Sequence, residues 1–516
     1  MYTRIKLLFF IGIPFFLLVN SGCKKGTFDI NSPNPNVPSI VPSKYILSAA
    51  LAGSALLQYG AGNTDILNTY MGYLSISGGF IPNAAWLTYN VTSDFGSNNW
   101  DAGYPVLENY IFIANTAAKD STQANFLAIA KIMMAYHFSR LVDIYNDIPY
   151  TSALQGSSGD LFPTYDKAAD VYTALLHQLD TAVTIINNNP GAVNPGTQDI
   201  MFDGHMNLWI QFANTVKLRM LMNLTQTAGG PATIQSELAG LTTADFIGAG
   251  EDAIINPGYT NASTTQQNPL WGNFGWGPTG SPYINETYLV ACSYIVNFWK
   301  NTNDSFRPTQ VFCLNTNNNV VQGRAFGSNN GSEISPSVIS LVGYAADPSN
   351  YTSGILVSPT AGALLFPAFE SLFLQAEAAQ RGYLTGSDPV ALYQSAISEN
   401  FRVLSIPNYA TAATTYYSQT GSVANQVNIS ASSDPITTII TQKWASLILF
   451  DPLESWCDWR RLGIPASLPV SIFPGTTATH IPYRLLYPTS EYKYNSASVA
   501  KEGTINALTS KIFWMP

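Results

Sequence analysis

Aromatic rings and neutral amides crowd two irregular stretches of this 516-residue chain. The first, FIPNAAWLTYNVTSDFGSNNWDAGY over 80–104, offers Trp86, Tyr89, Trp100 and Tyr104 with Asn83, Asn90, Asn98 and Asn99. The second, NPLWGNFGWGPTGSPYINETY over 268–288, offers Trp271, Phe274, Trp276, Tyr283 and Tyr288 with Asn268 and Asn273. Flat apolar faces beside fixed donors and acceptors suit a ligand that has a C–H face and vicinal hydroxyls. Tryptophan in a glycine-rich loop is costly to leave wet, and loops on a rigid scaffold commonly carry binding. Trp86, Trp100, Trp271, Trp276, Tyr283 and Asn83 are therefore the candidate ligand contacts. The competing reading folds these rings back as local cores or turns them toward a protein partner.

Other chemistries find less support. Glycoside hydrolysis needs two opposed carboxyl groups in one cleft, and no such pair announces itself. The chain has no GxSxG, no phosphate-loop glycine pattern and no HExxH. His137, His177, His205 and His480 are scattered and read as lone core or surface groups. Cys292, Cys313 and Cys457 include no CxxC pair, permit at most one bridge, and read most simply as buried free thiols. With 23 Lys plus Arg against 32 Asp plus Glu, the net charge of −9 has the wrong sign for tracking a phosphate backbone, so no nucleic-acid partner is expected. Charged residues make up only 11% of the chain, less than half of the roughly 25% in an average soluble protein. Asn, Ser, Thr, Gln and Tyr take their place, a surface suited to an uncharged, polyhydroxylated ligand.

These loops need a scaffold, and helical periodicity supplies one. From Ala124 to Tyr145 the residues Phe126, Ile129, Met133, Tyr136, Leu141 and Ile144 form one apolar stripe. Similar stripes predict helices over Lys167–Ile186, His205–Leu224, Ala363–Tyr383, Pro389–Val403 and Ile436–Leu449. Another starts where Asp451 caps, Pro452 takes the first helical position and Glu454 completes a capping box; Gly463 ends it. Arg460 and Arg461 near its end would complement the helix dipole. Paired helices of this kind build tetratricopeptide-like stacks, although no strict repeat is visible. Long Gly-, Asn- and Ser-rich inserts separate them, and Thr309–Leu314 and Ile355–Ser358 are the segments expected to supply short strands.

The N-terminus carries Arg4 and Lys6, then an apolar run from Leu7 to Val19, then Ser21, Gly22 and Cys23. That run is short of the roughly 20 residues a membrane span requires, so it reads as a secretory signal. A small-residue pair before a cysteine resembles the lipobox of bacterial lipoproteins, with Asn20 standing where an aliphatic residue is usual. Residues 1–22 are thus expected to be a lipoprotein signal peptide, and 23–39 the lipidated Cys23 and its tether. Residues 40–516 would form a single domain whose loop-rich binding part covers approximately 229–358.

Several longer segments are similar to the SusD/RagB family of outer-membrane lipoproteins, in its SusD-like nutrient-binding branch. They are FDINSPNPNVPS from Phe28, RLVDIYNDIPYTSALQG from Arg140, WIQFANTVKLRMLMNL from Trp209, SLFLQAEAAQRGYL from Ser371, TQKWASLILFDPLESWCDWRRLGIP from Thr441 and IPYRLLYPTSEYKYN from Ile481. The resemblance implies a mainly α fold, with tetratricopeptide-like helix pairs, long loop-rich insertions and a few short strands. It implies a non-catalytic surface lipoprotein of the outer membrane. Such a protein binds an oligosaccharide or other nutrient and delivers it to a TonB-dependent (SusC-like) transporter; the alternative is a structural lid with little affinity of its own. It also places Asp143 and Asp147 in a scaffold motif. No cofactor is implied beyond a structural calcium ion held by loop oxygens, which no EF-hand-like spacing in this chain supports.

Overall fold

The computed structural model describes residues 42–60, 65–78, 80–81, 83–329, 338–343 and 354–516. Cys23, the signal segment and the tether lie outside the described residues. Ser43–Pro516 form one compact unit.

The elements that carry the argument are helices α1 (Ser43–Tyr59), α2 (Asp65–Tyr70), α3 (Ala84–Leu87), α4 (Gly103–Ala117), α5 (Ala124–Tyr145), α6 (Ala168–Asn188), α7 (Met206–Asn223), α8 (Pro269–Phe274), α9 (Ile284–Tyr288), α10 (Ala368–Gln380), α11 (Pro389–Val403), α12 (Pro435–Ser446) and α13 (Pro452–Leu462). Consecutive long helices pack on one another, α4 on α5, α5 on α6, α6 on α7 and α10 on α11. This pairing follows from their apolar stripes, since each helix buries its stripe only against a neighbour. Trp209, Trp444 and Trp456 are fully buried, as expected of tryptophans at helical spacing.

Two small antiparallel sheets fasten the inserts to this scaffold. Strand β1 (Leu74–Ile76) pairs with β3 (Leu289–Ala291), Leu74 opposite Ala291 and Ile76 opposite Leu289. Strand β2 (Ala253–Ile255) pairs with β4 (Ala363–Phe366), Ala253 opposite Phe366. The paired strands are therefore not the segments expected from the sequence. Pro308 starts a helical turn over Pro308–Val311, after which Phe312 makes a single antiparallel bridge to Val342, and 355–358 has no strand. The helix expected from Ala363 begins only at Ala368, because Pro367 drives the preceding residues extended.

Helix α13 also departs from its reading. The Glu454 amide donates to Asp451 Oδ1 (3.3 Å), and Gly463 ends the helix at φ +69°. The Glu454 carboxylate, however, engages Lys443 rather than closing a capping box. Arg460 and Arg461 stand in the last turn, as expected, and both are buried. Arg460 lies over Trp456 and Trp514, and Arg461 bonds Glu377 and Asp458.

These groups belong to a continuous interior ladder of ion pairs. Arg140 forks onto Asp451 at 2.6 and 3.2 Å. Arg219 joins Asp451 at 3.4 Å to Glu370 at 3.2 Å and reaches Glu454 at 4.0 Å. Lys443 links Glu454 to Asp458, and Arg461 links Asp458 at 2.6 Å to Glu377 at 2.5 Å. Arg381 closes the series on Glu377 at 2.8 Å. Cations and carboxylates alternate along it, so each desolvated charge has an opposite one beside it.

Candidate functional site

The first aromatic stretch is shaped by α3. Asn83 caps this helix, its Oδ1 accepting from the Trp86 amide at 3.1 Å, and the residue is exposed. Trp86 points inward with 8% of its surface accessible, and its Nε1 donates to Thr69 Oγ1 at 2.8 Å. Its ring stands edge-on to Phe95 and Tyr288, and Phe80 stands edge-on to Tyr288 at 5.1 Å. The β1–β3 pairing sets this arrangement, extended by the Ser77 amide donating to the Tyr288 carbonyl at 2.8 Å. Half-buried Phe80 and Tyr288 form an aromatic ledge, and Ile81 and Asn83, close after Phe80 in the chain, are exposed.

The second stretch folds around Gln267 and α8. Asn268 caps α8 by accepting from the Trp271 amide at 3.0 Å, while its Nδ2 ties down the Ala361 and Gly362 carbonyls. Trp271 Nε1 and Gln267 Nε2 both donate to the Trp276 carbonyl, at 2.8 and 2.9 Å. Tyr283 O–H donates to Gln267 Oε1 at 2.5 Å. Trp271, Trp276 and Tyr283 are thus brought into one hub. Asp65 of α2 clamps it to the ledge by accepting from Asn273 at 3.0 Å and from Asn285 of α9 at 2.9 Å.

Trp100 lies elsewhere. It is 4% exposed and packs among Tyr104, Tyr145, Tyr165 and Tyr487, a stack between the scaffold and the C-terminal segment. Trp271 and Trp276 are 4% and 8% exposed. All four candidate indoles therefore sit in the packed interior of their loops. The physical reason is area, since a ring this large gains most by burial. The rings of the two stretches left partly open are Phe80, Phe95, Tyr104, Tyr283 and Tyr288. Sequence reasoning did not single out Phe80, although its place beside Ile81 and Pro82, ahead of the Asn83 cap, marks it as the loop's leading edge.

A family model described as SusD-like, "starch-binding associating with outer membrane", matches residues 35–488. The chain belongs to the SusD-like family. Solved relatives show the same mainly α SusD-like fold. A SusD homolog from Bacteroides vulgatus superposes with a TM-score of 0.72 at 18% identity, covering 91% of this chain and 97% of that one. A chitin-binding SusD homolog from Flavobacterium johnsoniae gives 0.71 at 21%, covering 91% and 98%. A SusD homolog from Bacteroides uniformis gives 0.68 at 21%, covering 92% and 99%. A search of curated proteins finds no relative.

Asp143, Asp147 and His137 of this SusD-like chain are engaged in structure. Asp143 accepts from Tyr172 O–H and from Trp514 Nε1, and Asp147 holds the Ala168 amide at the start of α6 and Lys167 Nζ. His137 is buried and bonded to Ser54 at 2.8 Å; burial, with Arg140 and Arg219 nearby, lowers it to about 3, so it stays neutral. Cys292, Cys313 and Cys457 are buried. Among the described residues no group of three or more His, Cys, Asp or Glu could hold a metal ion, and no helix is long and apolar enough to cross a membrane.

Proposed function

We propose that this SusD-like protein is a lipid-anchored outer-membrane subunit, without catalysis of its own, that binds a glycan and passes it to a TonB-dependent transporter. Lipidation at Cys23 would hold it at the membrane, since two or more acyl chains anchor stably where one does not. The observation that carries the reading is the family match over 35–488, whose description joins starch binding to the outer membrane; the chitin-binding relative agrees with it. The ledge supplies suitable chemistry: Phe80 and Tyr288 offer ring surface to the C–H side of a sugar, and Asn83 offers an amide to its hydroxyls. Trp86, Trp271, Trp276 and Tyr283 serve this surface by fixing the loops, and Trp100 by fixing the scaffold.

Isothermal titration of the purified protein against soluble α-glucan and chitin oligosaccharides tests this. Tyr288→Ala is expected to weaken binding by at least about tenfold. Absence of binding across a broad panel, with no transporter recovered on pull-down, would sink the proposal. A second reading, a structural lid whose partner supplies most ligand contacts, is favoured by the inward placement of all four indoles. Micromolar or tighter binding by the isolated protein would exclude it.

A further inference from the structure

A cavity of about 600 Å³ opens between α1, α8 and the loop over 257–267. Its size falls within the roughly 300–1,000 Å³ of small-molecule sites. Its apolar lining comes from Ala52, Gly53 and the exposed Leu56 of α1 and from Pro269 and Gly272 of α8. Tyr259 stands at one wall, half-buried, and burial pushes its phenol up to about 12, so it is a neutral donor and acceptor. Thr260, Thr264, Thr265 and Gln266 line the rim, and Gln267 and Asn273 the inner wall. Among the described residues no charged side chain lines this space.

The walls are held in place. Within the loop the Thr260 amide donates to the Gln266 carbonyl at 2.8 Å, and the Gln266 amide to the Ser263 carbonyl at 3.1 Å. Gln267 is fixed on three sides, by Asn261, the Trp276 carbonyl and Tyr283. The aromatic hub thus backs the cavity and sets the inner wall. Gly272 keeps the space open, because a Cβ built there would meet no atom within 4 Å.

The geometry points to a second ligand site here, separate in its lining from the ledge, that takes an uncharged saccharide or polyol. The lining hydroxyls and amides match vicinal hydroxyls, the Tyr259 ring and the apolar lining match a C–H face, and no charge compensates an acidic or amino sugar. The ligand class is argued from this lining and does not rest on the function proposed above.

Titration calorimetry of the full chain with a linear α-glucan heptasaccharide, chitohexaose and an acidic galacturonate hexasaccharide decides the matter. A neutral oligosaccharide is expected to occupy two sites per chain. Gly272→Leu, which fills the cavity and suits a helix better than glycine, is expected to remove one site; Tyr259→Ala should weaken the same site by about tenfold and guards against a misfolded Gly272→Leu. The acidic hexasaccharide should not fill it. Unchanged stoichiometry and affinities in both variants, or equal binding of the acidic sugar, overturns the inference. A single site lost in Tyr288→Ala and untouched by Gly272→Leu overturns it while leaving the ledge as the glycan site; no heat from any sugar overturns both.

Discussion

Two glutamates on α10 lie in the same ion ladder and titrate in opposite directions. Burial raises Glu377, but Arg461, through charge and hydrogen bonds, with Arg381 and Lys443, more than offsets it and brings the carboxyl down from 4.5 to about 2. Its folded value is depressed, so its contribution to stability is present above pH 4.5 and is lost as pH falls toward 2. Glu370 meets the same burial with less help. Arg219 opposes the rise, while Asp451 and Glu454 add to it, and the carboxyl is pushed up to about 8. Here the folded state binds a proton that the unfolded chain releases, so stability falls as pH climbs from 4.5 toward 8. Glu377→Gln, which leaves Arg461 half-paired, should therefore cost about 3–5 kcal/mol at neutral pH. Glu370→Gln keeps an acceptor for Arg219 and should raise the melting temperature above that of the native protein near pH 8. Thermal melts from acid to mild alkali check both; a large loss of stability in Glu370→Gln at that pH would contradict the assignment. Neither role is visible in the sequence, where α10 shows only an apolar stripe, because the partners come from α7, α12 and α13.

Local order in the hub depends on one cap. Asn268 both starts α8 and fastens it to the 361–362 backbone, so Asn268→Ala should remove a helix cap worth about 0.5–2 kcal/mol and release that tether. Faster amide exchange confined to Pro269–Tyr288 is the expected readout; exchange spreading through α5 and α6 would mean the hub is part of the global core. Elements set by their own residues were readable in advance. The stripe over Ala124–Tyr145 matches α5 end to end, Pro389–Val403 matches α11, and Asp451 and Gly463 bound α13 as expected. Strands were not readable. β1–β3 and β2–β4 each join segments far apart in the chain, and three or four residues carry no period that separates them from a buried loop. The candidate site fares likewise. Composition drew attention to Trp86, Trp271, Trp276 and Tyr283, but the inward turn of each indole is set by Thr69, Tyr288 and Gln267. Trp100 belongs to a stack completed by Tyr487, near the other end of the chain, and no local pattern announces it.

Across the whole molecule, part of the scarce charge lies inside. Only 11% of residues are charged, and the ladder from Arg140 to Arg381 takes many of them into the interior of the helical scaffold. The stretches over 80–104 and 268–288 carry mainly amides, hydroxyls and rings, with Asp94, Asp101 and Glu286 as their only charged residues. Salt should therefore act weakly on both properties, for two different reasons. Buried pairs are poorly screened because mobile ions do not reach them, and a neutral sugar on a neutral surface has no Coulomb attraction to screen. Between about 20 and 500 mM NaCl the affinity for a neutral oligosaccharide should change by less than about twofold, and the melting temperature by only a few degrees. A chain of net charge −9 that relied on surface ion pairs, or on a charged ligand, would show a steep dependence in one or the other. Measuring both on the same samples separates the cases. A salt-sensitive melt with constant affinity would place the stabilising charges at the surface, and the reverse would put charge in the binding site.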